Sequence, residues 1–139
     1  MEITANAVQL VAANQNVLFT DTVVCGNGSI IHRDGSGLVT LRGITNQCRA
    51  RFKVSFGGNV AIPTDGTVGP ISLAIAINGE SVPSTTMIET PTVVNSYSSV
   101  FSAVYIDVPA YCCTQVSVKN IGADSINVQN ANLIIERVA

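Results

Sequence analysis

The sequence predicts an all-β protein, an antiparallel β-sandwich or jelly roll of about 8–10 strands. Large apolar residues occupy the odd positions from Ile71 to Ile77, and Ser or Ala the even ones, which is the alternation of a strand with one face in a core. Asn78-Gly79 follows at once and favours a two-residue hairpin, because a type I′ turn needs positive φ at both central positions. Turn signals recur about every 8–12 residues, and no segment has the helical period.

The strand patterns before this hairpin are separated by turn residues. Apolar runs at 7–11 and 17–19 predict either two strands or one strand and a lead-in to it. Residues 21–24 extend the second run, and Gly26-Asn27-Gly28 ends it. Residues 34–37 turn a strand at 29–33 into one at 38–42. The strand at 48–56 alternates cleanly, and Gly57-Gly58 is expected to kink or bulge it before it continues over 59–62.

Three more strands follow the hairpin, whose second strand is expected to end near Pro83. They lie at 97–108, at 113–118 after a turn at Pro109-Ala110, and at 125–138. The small Ser and Ala residues of 71–77 suggest that another sheet or subunit approaches that face of the hairpin closely.

Length and composition favour one domain and an oligomer. The 139 residues fit a single domain over 1–139, in which residues 1–6 form a short N-terminal lead-in. Charged residues make up 12 % of the chain, against roughly 25 % in an average globular domain. So thin a solvating surface suggests that part of it is buried between subunits.

Charge and hydropathy also argue against two classes of partner. The net charge of −2 offers no general attraction for nucleic acid. No run of about 18 apolar residues could span a bilayer, so no membrane partner is expected. Met1-Glu2-Ile3-Thr4 does not resemble the basic start of a signal peptide, which predicts synthesis in a cytoplasm.

The strand at 97–108 has two apolar faces. Val100, Val104, Ile106 and Val108 lie on the even face, and Tyr97, Phe101, Ala103 and Tyr105 on the odd face. A sandwich strand needs only one apolar face, so the second predicts another buried surface. Either a neighbouring subunit covers the odd face, which makes its four residues a trimer interface, or a loop of the same chain covers a central strand.

Four segments resemble the tumour-necrosis-factor/C1q-like (TNF/C1q-like) jelly roll. They are G-L-V-T-L-R-G at 37–43, R-A-R-F-K-V-S-F at 49–56, I-S-L-A-I-A-I-N-G-E at 71–80 and N-A-N-L-I-I-E-R-V at 130–138. The third resembles the family's hairpin of the form L-x-L-x-x-N-G. The last resembles the final strand of the exosporium collagen-like glycoprotein head domains of spore-forming bacteria. The resemblance covers nearly the whole chain from residue 7 onward, and it implies a compact homotrimer around an axis lined by aromatic residues.

The resemblance also implies a function. Exosporium heads follow a Gly-X-Y collagen stalk that this sequence lacks, and small stalkless trimers resemble the accessory or decoration proteins of tailed-phage capsids. We therefore expect a non-enzymatic structural protein on a virion surface, a homotrimer whose partner is the major capsid protein or another part of the virion. The alternative is a trimeric head domain that recognises carbohydrate or a host, spore or cell surface.

Catalytic chemistry has little support in the sequence. His32 is the only histidine, and Asp34 and Ser36 are its local candidates for a triad, but the nucleophile elbow G-x-S-x-G is absent. A structural His32 is therefore favoured, and no catalytic residue is assigned. No cofactor-binding or metal-binding residue is assigned either, because the acids are scattered and the cysteines match no zinc spacing.

The four cysteines are interpreted as small apolar packing residues. Cys25, Cys48, Cys112 and Cys113 could also pair, with a bond between Cys25 and Cys48 as the alternative. Adjacent Cys112 and Cys113 cannot both point the same way on a strand.

Basic residues cluster in the strand at 48–56. Arg49, Arg51 and Lys53 share one face, and they either form a solvated surface with cross-strand partners such as Asp34 or bind an acidic partner, for example a capsid shell or an anionic glycan. No aromatic residue is expected to interleave with them on that face, which argues against a groove for single-stranded nucleic acid.

Overall fold

The computed structural model describes residues 1–139 and contains twelve strands and one short 3-10 turn. The strands are β1 Glu2–Ala5, β2 Gln9–Val11, β3 Asp21–Val24, β4 Ile30–His32, β5 Val39–Arg42, β6 Arg49–Ala61, β7 Ile71–Ile77, β8 Glu80–Ser81, β9 Met87–Glu89, β10 Ser98–Pro109, β11 Cys113–Asn120 and β12 Ile126–Arg137. The 3-10 turn is Pro83–Thr85. The all-β prediction is confirmed. No helix here has the length and apolar character needed to cross a bilayer.

Two antiparallel sheets form the sandwich. The front sheet has the strand order β10-β6-β12-β1-β3, with β2 also paired to β12. The back sheet has the order β4-β5-β11-β7-β8, with β9 also paired to β7. Phe19, Phe52, Phe56, Leu73 and Leu133 are among the largest fully buried side chains of the core.

The longest pairing in the molecule joins β6 and β10. Their register runs without interruption from Ser98 opposite Val60 to Pro109 opposite Arg49. Directly opposite residues of an antiparallel pair lie on the same face of the sheet. The even residues of β6, such as Phe52 and Val54, are fully buried, so the odd residues of both strands point to solvent.

Residues 2–5 differ from the prediction. They form β1, inside the front sheet between β12 and β3, rather than a lead-in that precedes the first strand. Ile3 is fully buried and Ala5 nearly so. A four-residue strand is too short to show periodicity, and only its pairing with residues 131–134 reveals it.

The expected irregularity near Gly57-Gly58 occurs on the partner strand instead. β6 runs unbroken through both glycines, whereas the register of β12 shifts between Gln129 and Asn132. Asn130 has φ of 54° there, a left-handed conformation that Asn tolerates better than most residues. The extra residue of the bulge is therefore on β12.

The hairpin agrees with the prediction, but its small face does not need a second subunit. Asn78 and Gly79 have φ of 52° and 87°, the signs that a type I′ turn requires. Ala74 and Ala76 are already fully buried within the single chain. The suggested approach of another subunit to this face is thus unnecessary.

Thr85 fills a gap at the edge of β7. β7 pairs with β9 over Ile71–Leu73 and with β8 over Ala76–Ile77, which leaves the backbone of Ile75 between two partners. The Ile75 N–H donates to Oγ1 of Thr85 at 2.9 Å, and that hydroxyl donates to the carbonyl of Val82 at 2.7 Å. Thr85 is fully buried, so no water can replace it.

We expect Thr85→Val to lower the free energy of unfolding by about 1–3 kcal/mol, because the Ile75 N–H loses its acceptor at constant side-chain volume. The matched control is Thr86→Val, whose hydroxyl binds the Pro83 carbonyl in an exposed position. The control should change stability by less than about 0.5 kcal/mol. Urea denaturation measures both, and equal effects of the two substitutions would contradict the role given to Thr85.

Candidate interaction surface

The solvent side of the front sheet, here called the front face, carries a row of exposed aromatic side chains, two on β10 and one, Tyr97, just before it. Phe101 is 70 % exposed, Tyr105 63 % and Tyr97 39 %, and Ala103 between them is also exposed. β10 is an edge strand, and no loop of the chain covers this row. The alternative of a central strand covered by its own chain is therefore wrong.

The opposite side of β10 belongs to the core. Ile106 and Val108 are buried, and Val100 and Val104 are partly buried and pack against the core cluster. β10 is thus apolar on both faces, but the single chain buries only one of them.

Phe101 lies against the smallest residue of the neighbouring strand. It is directly opposite Gly57 in the register, and a Cβ placed on Gly57 would lie 3.9 Å from Cδ2 of Phe101. Ala103 is opposite Ser55. Because Gly57 and Ser55 have no side chain or a small one, the sheet surface beside the aromatic row is uncovered. Another protein surface could pack there.

The basic residues lie on this same face. Lys53 is opposite Tyr105, Arg51 opposite Asp107, and Arg49 opposite Pro109. The two surfaces that the sequence treats separately, the aromatic row and the basic cluster, therefore form one continuous surface. The expectation that no aromatic residue interleaves with the bases is wrong, since Tyr105 on the adjacent strand does so.

Asp107 is the acidic partner of two of these bases. Nε and Nη2 of Arg51 donate to its two carboxylate oxygens at 2.7 and 3.1 Å, and Nε of Arg49 lies 3.1 Å from Oδ2. Asp34, the partner expected from the sequence, lies elsewhere and accepts a hydrogen bond from Thr22. Asp107 therefore offsets part of the positive charge, and Lys53 makes no ion pair.

The ion pair shifts the titration of both partners. The hydrogen bond from Arg51 lowers the pKa of Asp107 most, and the charges of Arg51 and Arg49 add to this while desolvation opposes it. The same hydrogen bond, with the charge of Asp107, raises the pKa of Arg51.

His32 does not form a catalytic triad with Asp34 and Ser36. Its side chain is fully buried, and Nε2 lies 2.9 Å from the backbone carbonyl of Ser36 rather than from its hydroxyl. The Ser36 hydroxyl accepts from the Leu38 N–H instead. Nδ1 lies 3.8 Å from Oδ1 of Asp34, outside hydrogen-bond distance. This arrangement is structural, as the sequence favours.

The interpretation of the cysteines as packing residues is wrong. Cys25, Cys48, Cys112 and Cys113 are all exposed, and none is in a disulfide, so Cys25 and Cys48 are not bonded. The reason is their location: Cys25, Cys48 and Cys112 lie just outside strand ends, and Cys113 begins β11 on its solvent side.

No protein-family model and no curated protein matches the chain. Several solved structures, in contrast, match it. The Eiger TNF from S. frugiperda has a TM-score of 0.68 at 11 % identity, covering 100 % of this chain and 92 % of that one. The globular domain of zebrafish complement 1qA has a TM-score of 0.58 at 12 % identity, covering 96 % of this chain and 93 % of that one. Murine APRIL at pH 5.0 has a TM-score of 0.54 at 10 % identity, covering 95 % of this chain and 96 % of that one.

These similarities show the fold: the chain is a TNF/C1q-like jelly roll. At such low identity they show nothing of its ligands or assembly. The predicted likeness to exosporium head domains and to phage decoration proteins stays a prediction.

We expect the carboxyl of Asp107 to titrate below the ordinary aspartate value of about 3.9. A lowered folded-state pKa means that the pair stabilises the fold fully above the unfolded-state value, and that this contribution is lost as pH falls through the folded-state pKa. Carbon NMR of the carboxyl measures the titration. Arg51→Gln should move the midpoint upward more than Arg49→Gln, because the hydrogen bond from Arg51 is its largest cause. An unchanged midpoint in Arg51→Gln would contradict this assignment.

Proposed function

We propose that the chain is a non-enzymatic surface protein that works as a homotrimer joined through the front face. The observation that carries this proposal is the exposed aromatic row of Tyr97, Phe101 and Tyr105 on the front face. Aromatic residues are enriched in interfaces, because they bury large areas at a low entropic cost. The TNF/C1q-like fold is consistent with the proposal.

A cyclic trimer needs two complementary patches on each copy, because its interfaces join different surfaces of neighbouring subunits. The front face offers a second apolar patch away from β10. Ile134 on β12 is 42 % exposed and Val24 on β3 is 52 % exposed, and both lie directly opposite Glu2 of β1. We infer that the aromatic row of one copy packs on the Ile134–Val24 side of the next.

The setting that we propose for the trimer is a virion surface, where it decorates or stabilises a capsid. Support comes from large apolar side chains that remain exposed away from the aromatic row, among them Val8, Leu18, Ile31, Ile88 and Val93. Exposed apolar area beyond one interface suggests further contacts in a larger assembly. The charged fraction of only 12 % agrees with such a permanently assembled protein.

The second candidate is a head domain that recognises carbohydrate. It is favoured by a small cavity of about 190 Å³ lined by Arg51, Tyr105 and Asp107. An exposed ring beside a fixed cation–carboxylate pair offers stacking and hydrogen bonds together. A glycan there would compete with trimer contacts at Tyr105. The trimer requires this side chain to be buried between subunits, whereas carbohydrate binding requires it to be accessible.

We expect Phe101→Asp to abolish the trimer and leave the monomer folded, because Phe101 is exposed in the single chain. A carboxylate at this position would be buried out of water against the apolar Ile134–Val24 side of the next copy, at each of the three interfaces, which would be strongly unfavourable. Ile31→Asp is the control: it places the same charge at another exposed apolar residue, on β4 of the back sheet. Val104→Ala, on the core side, should mainly lower monomer stability.

Size exclusion with light scattering reads the mass of each variant. A wild type that elutes as a monomer at micromolar concentration, or a Phe101→Asp variant that remains trimeric, would overturn the assignment of the interface. Loss of the trimer in Ile31→Asp as well would show that the front face is not specifically responsible.

Location separates the two candidate settings. We expect cryo-electron microscopy of purified particles to find the trimer on the capsid, and attachment to weaken with salt if Arg49, Arg51 and Lys53 contribute. Replacing these three residues with Gln should then reduce attachment and its salt dependence. Glycan-array binding by the free protein that is lost in Tyr105→Ala would favour the carbohydrate candidate instead.

A further inference from the structure

A groove separate from the front face lies where two chain turns meet. It has a volume of about 570 Å³ and is lined by the loop that follows β5 and by the turn between β10 and β11. Arg42, Ile44, Tyr111, Cys112 and Cys113 contribute to its walls. Small-molecule sites commonly measure roughly 300–1,000 Å³, so the groove is large enough for a ligand of peptide size.

Backbone hydrogen bonds hold the two walls together. The Gly43 N–H donates to the Cys112 carbonyl at 2.9 Å, and the Tyr111 N–H donates to the Gly43 carbonyl at 3.0 Å. No side chain fits at Gly43, since a Cβ there would collide with the carbonyl oxygen of Pro109. Tyr111 has φ of 60°, which is unusual for a bulky residue, and its side chain is 91 % exposed. The turn thus fixes the backbone that carries the two cysteines.

The groove brings together unusual chemical groups. Two adjacent free thiols are exposed there, although cysteine is among the most buried residue types. Arg42 is directly opposite Cys113 in the pairing of β5 and β11, so both side chains lie on the same face of the back sheet. A guanidinium group binds carboxylates through two parallel hydrogen bonds. Nη1 of Arg42 donates to the Gly28 carbonyl at 3.5 Å, a long contact, and the Arg42 and Cys113 side chains both border the groove.

We propose that this groove is a modification site at which Cys113 forms a mixed disulfide with a small peptide disulfide that carries carboxylates. Arg42 holds a carboxylate of the incoming molecule. The thiolate of Cys113 attacks one sulfur of the incoming disulfide, whose S–S bond breaks as the new one forms. The other half leaves as a thiolate and takes a proton from water. The incoming disulfide is the oxidant, and no assembly of the chain is required.

The adjacent thiol of Cys112 does not reverse the modification. A disulfide usually joins residues whose Cα atoms are about 4.4–6.8 Å apart, whereas neighbours in the chain are about 3.8 Å apart. Ring closure between Cys112 and Cys113 would therefore be strained. The mixed disulfide accumulates, as expected of a modification site and unlike a dithiol oxidoreductase.

The test incubates the full chain with glutathione disulfide, which carries carboxylates, or with cystamine, which carries amines instead. Peptide mass spectrometry follows each cysteine with time. We expect glutathione to modify Cys113 faster than Cys25 by about tenfold, the effect of one charge-assisted hydrogen bond. Cys25 is an exposed thiol outside the groove and serves as an internal control. Cystamine should show no such preference.

Two variants test the role of Arg42. Arg42→Gln should remove the preference of Cys113 for glutathione disulfide over cystamine, whereas Arg33→Gln, at an exposed arginine outside the groove, should keep it. Equal rates at Cys25 and Cys113, modification of Cys112 in place of Cys113, or an intrachain Cys112–Cys113 bond would each overturn the proposal. The comparison of the two disulfides on the wild-type protein needs no variant, so it decides even if a substitution disturbs the fold.

Discussion

The uninterrupted pairing of β6 with β10 is the constraint on which the rest of the molecule depends. One register over the twelve residues of β10 places Phe52 and Val108 in the core and Phe101, Tyr105 and Asp107 on the solvent side. A slip of one residue would exchange the two faces, because side chains alternate along a strand. Core and front face are thus set by the same hydrogen bonds.

The front face combines apolar and charged groups in a way that limits what it can bind. The Arg51–Asp107 pair is already complete within one chain, so its charges attract a partner weakly, and the exposed rings beside it supply most of the area. Surface ion pairs of this kind contribute little energy, because water and salt screen them. In the proposed trimer the apolar row would therefore supply most of the affinity, and the ion pair would act mainly on orientation.

The features that depend on local pattern were predictable. Alternation revealed β6, β7 and β10, and Asn78-Gly79 marked the hairpin because the turn requires those residue types. Features that depend on distant residues were not. β1 is identified by its pairing with residues 131–134, and Asp107 is 56 positions from Arg51 in the sequence. The exposure of the cysteines depends on their location just beyond or at strand ends, where composition carries no signal.

The pairing of β1 with β12 has a consequence for how the chain is made. Glu2 lies opposite Ile134, so the front sheet joins residues from the two ends of the 139-residue sequence. A ribosome that releases the chain from one end must finish almost all of it before this sheet can close. Folds dominated by such distant pairings form slowly, and unpaired strand edges and exposed rings stay accessible to other chains meanwhile. In this topology β1 therefore waits for its partner until residues 131–134 have been synthesised.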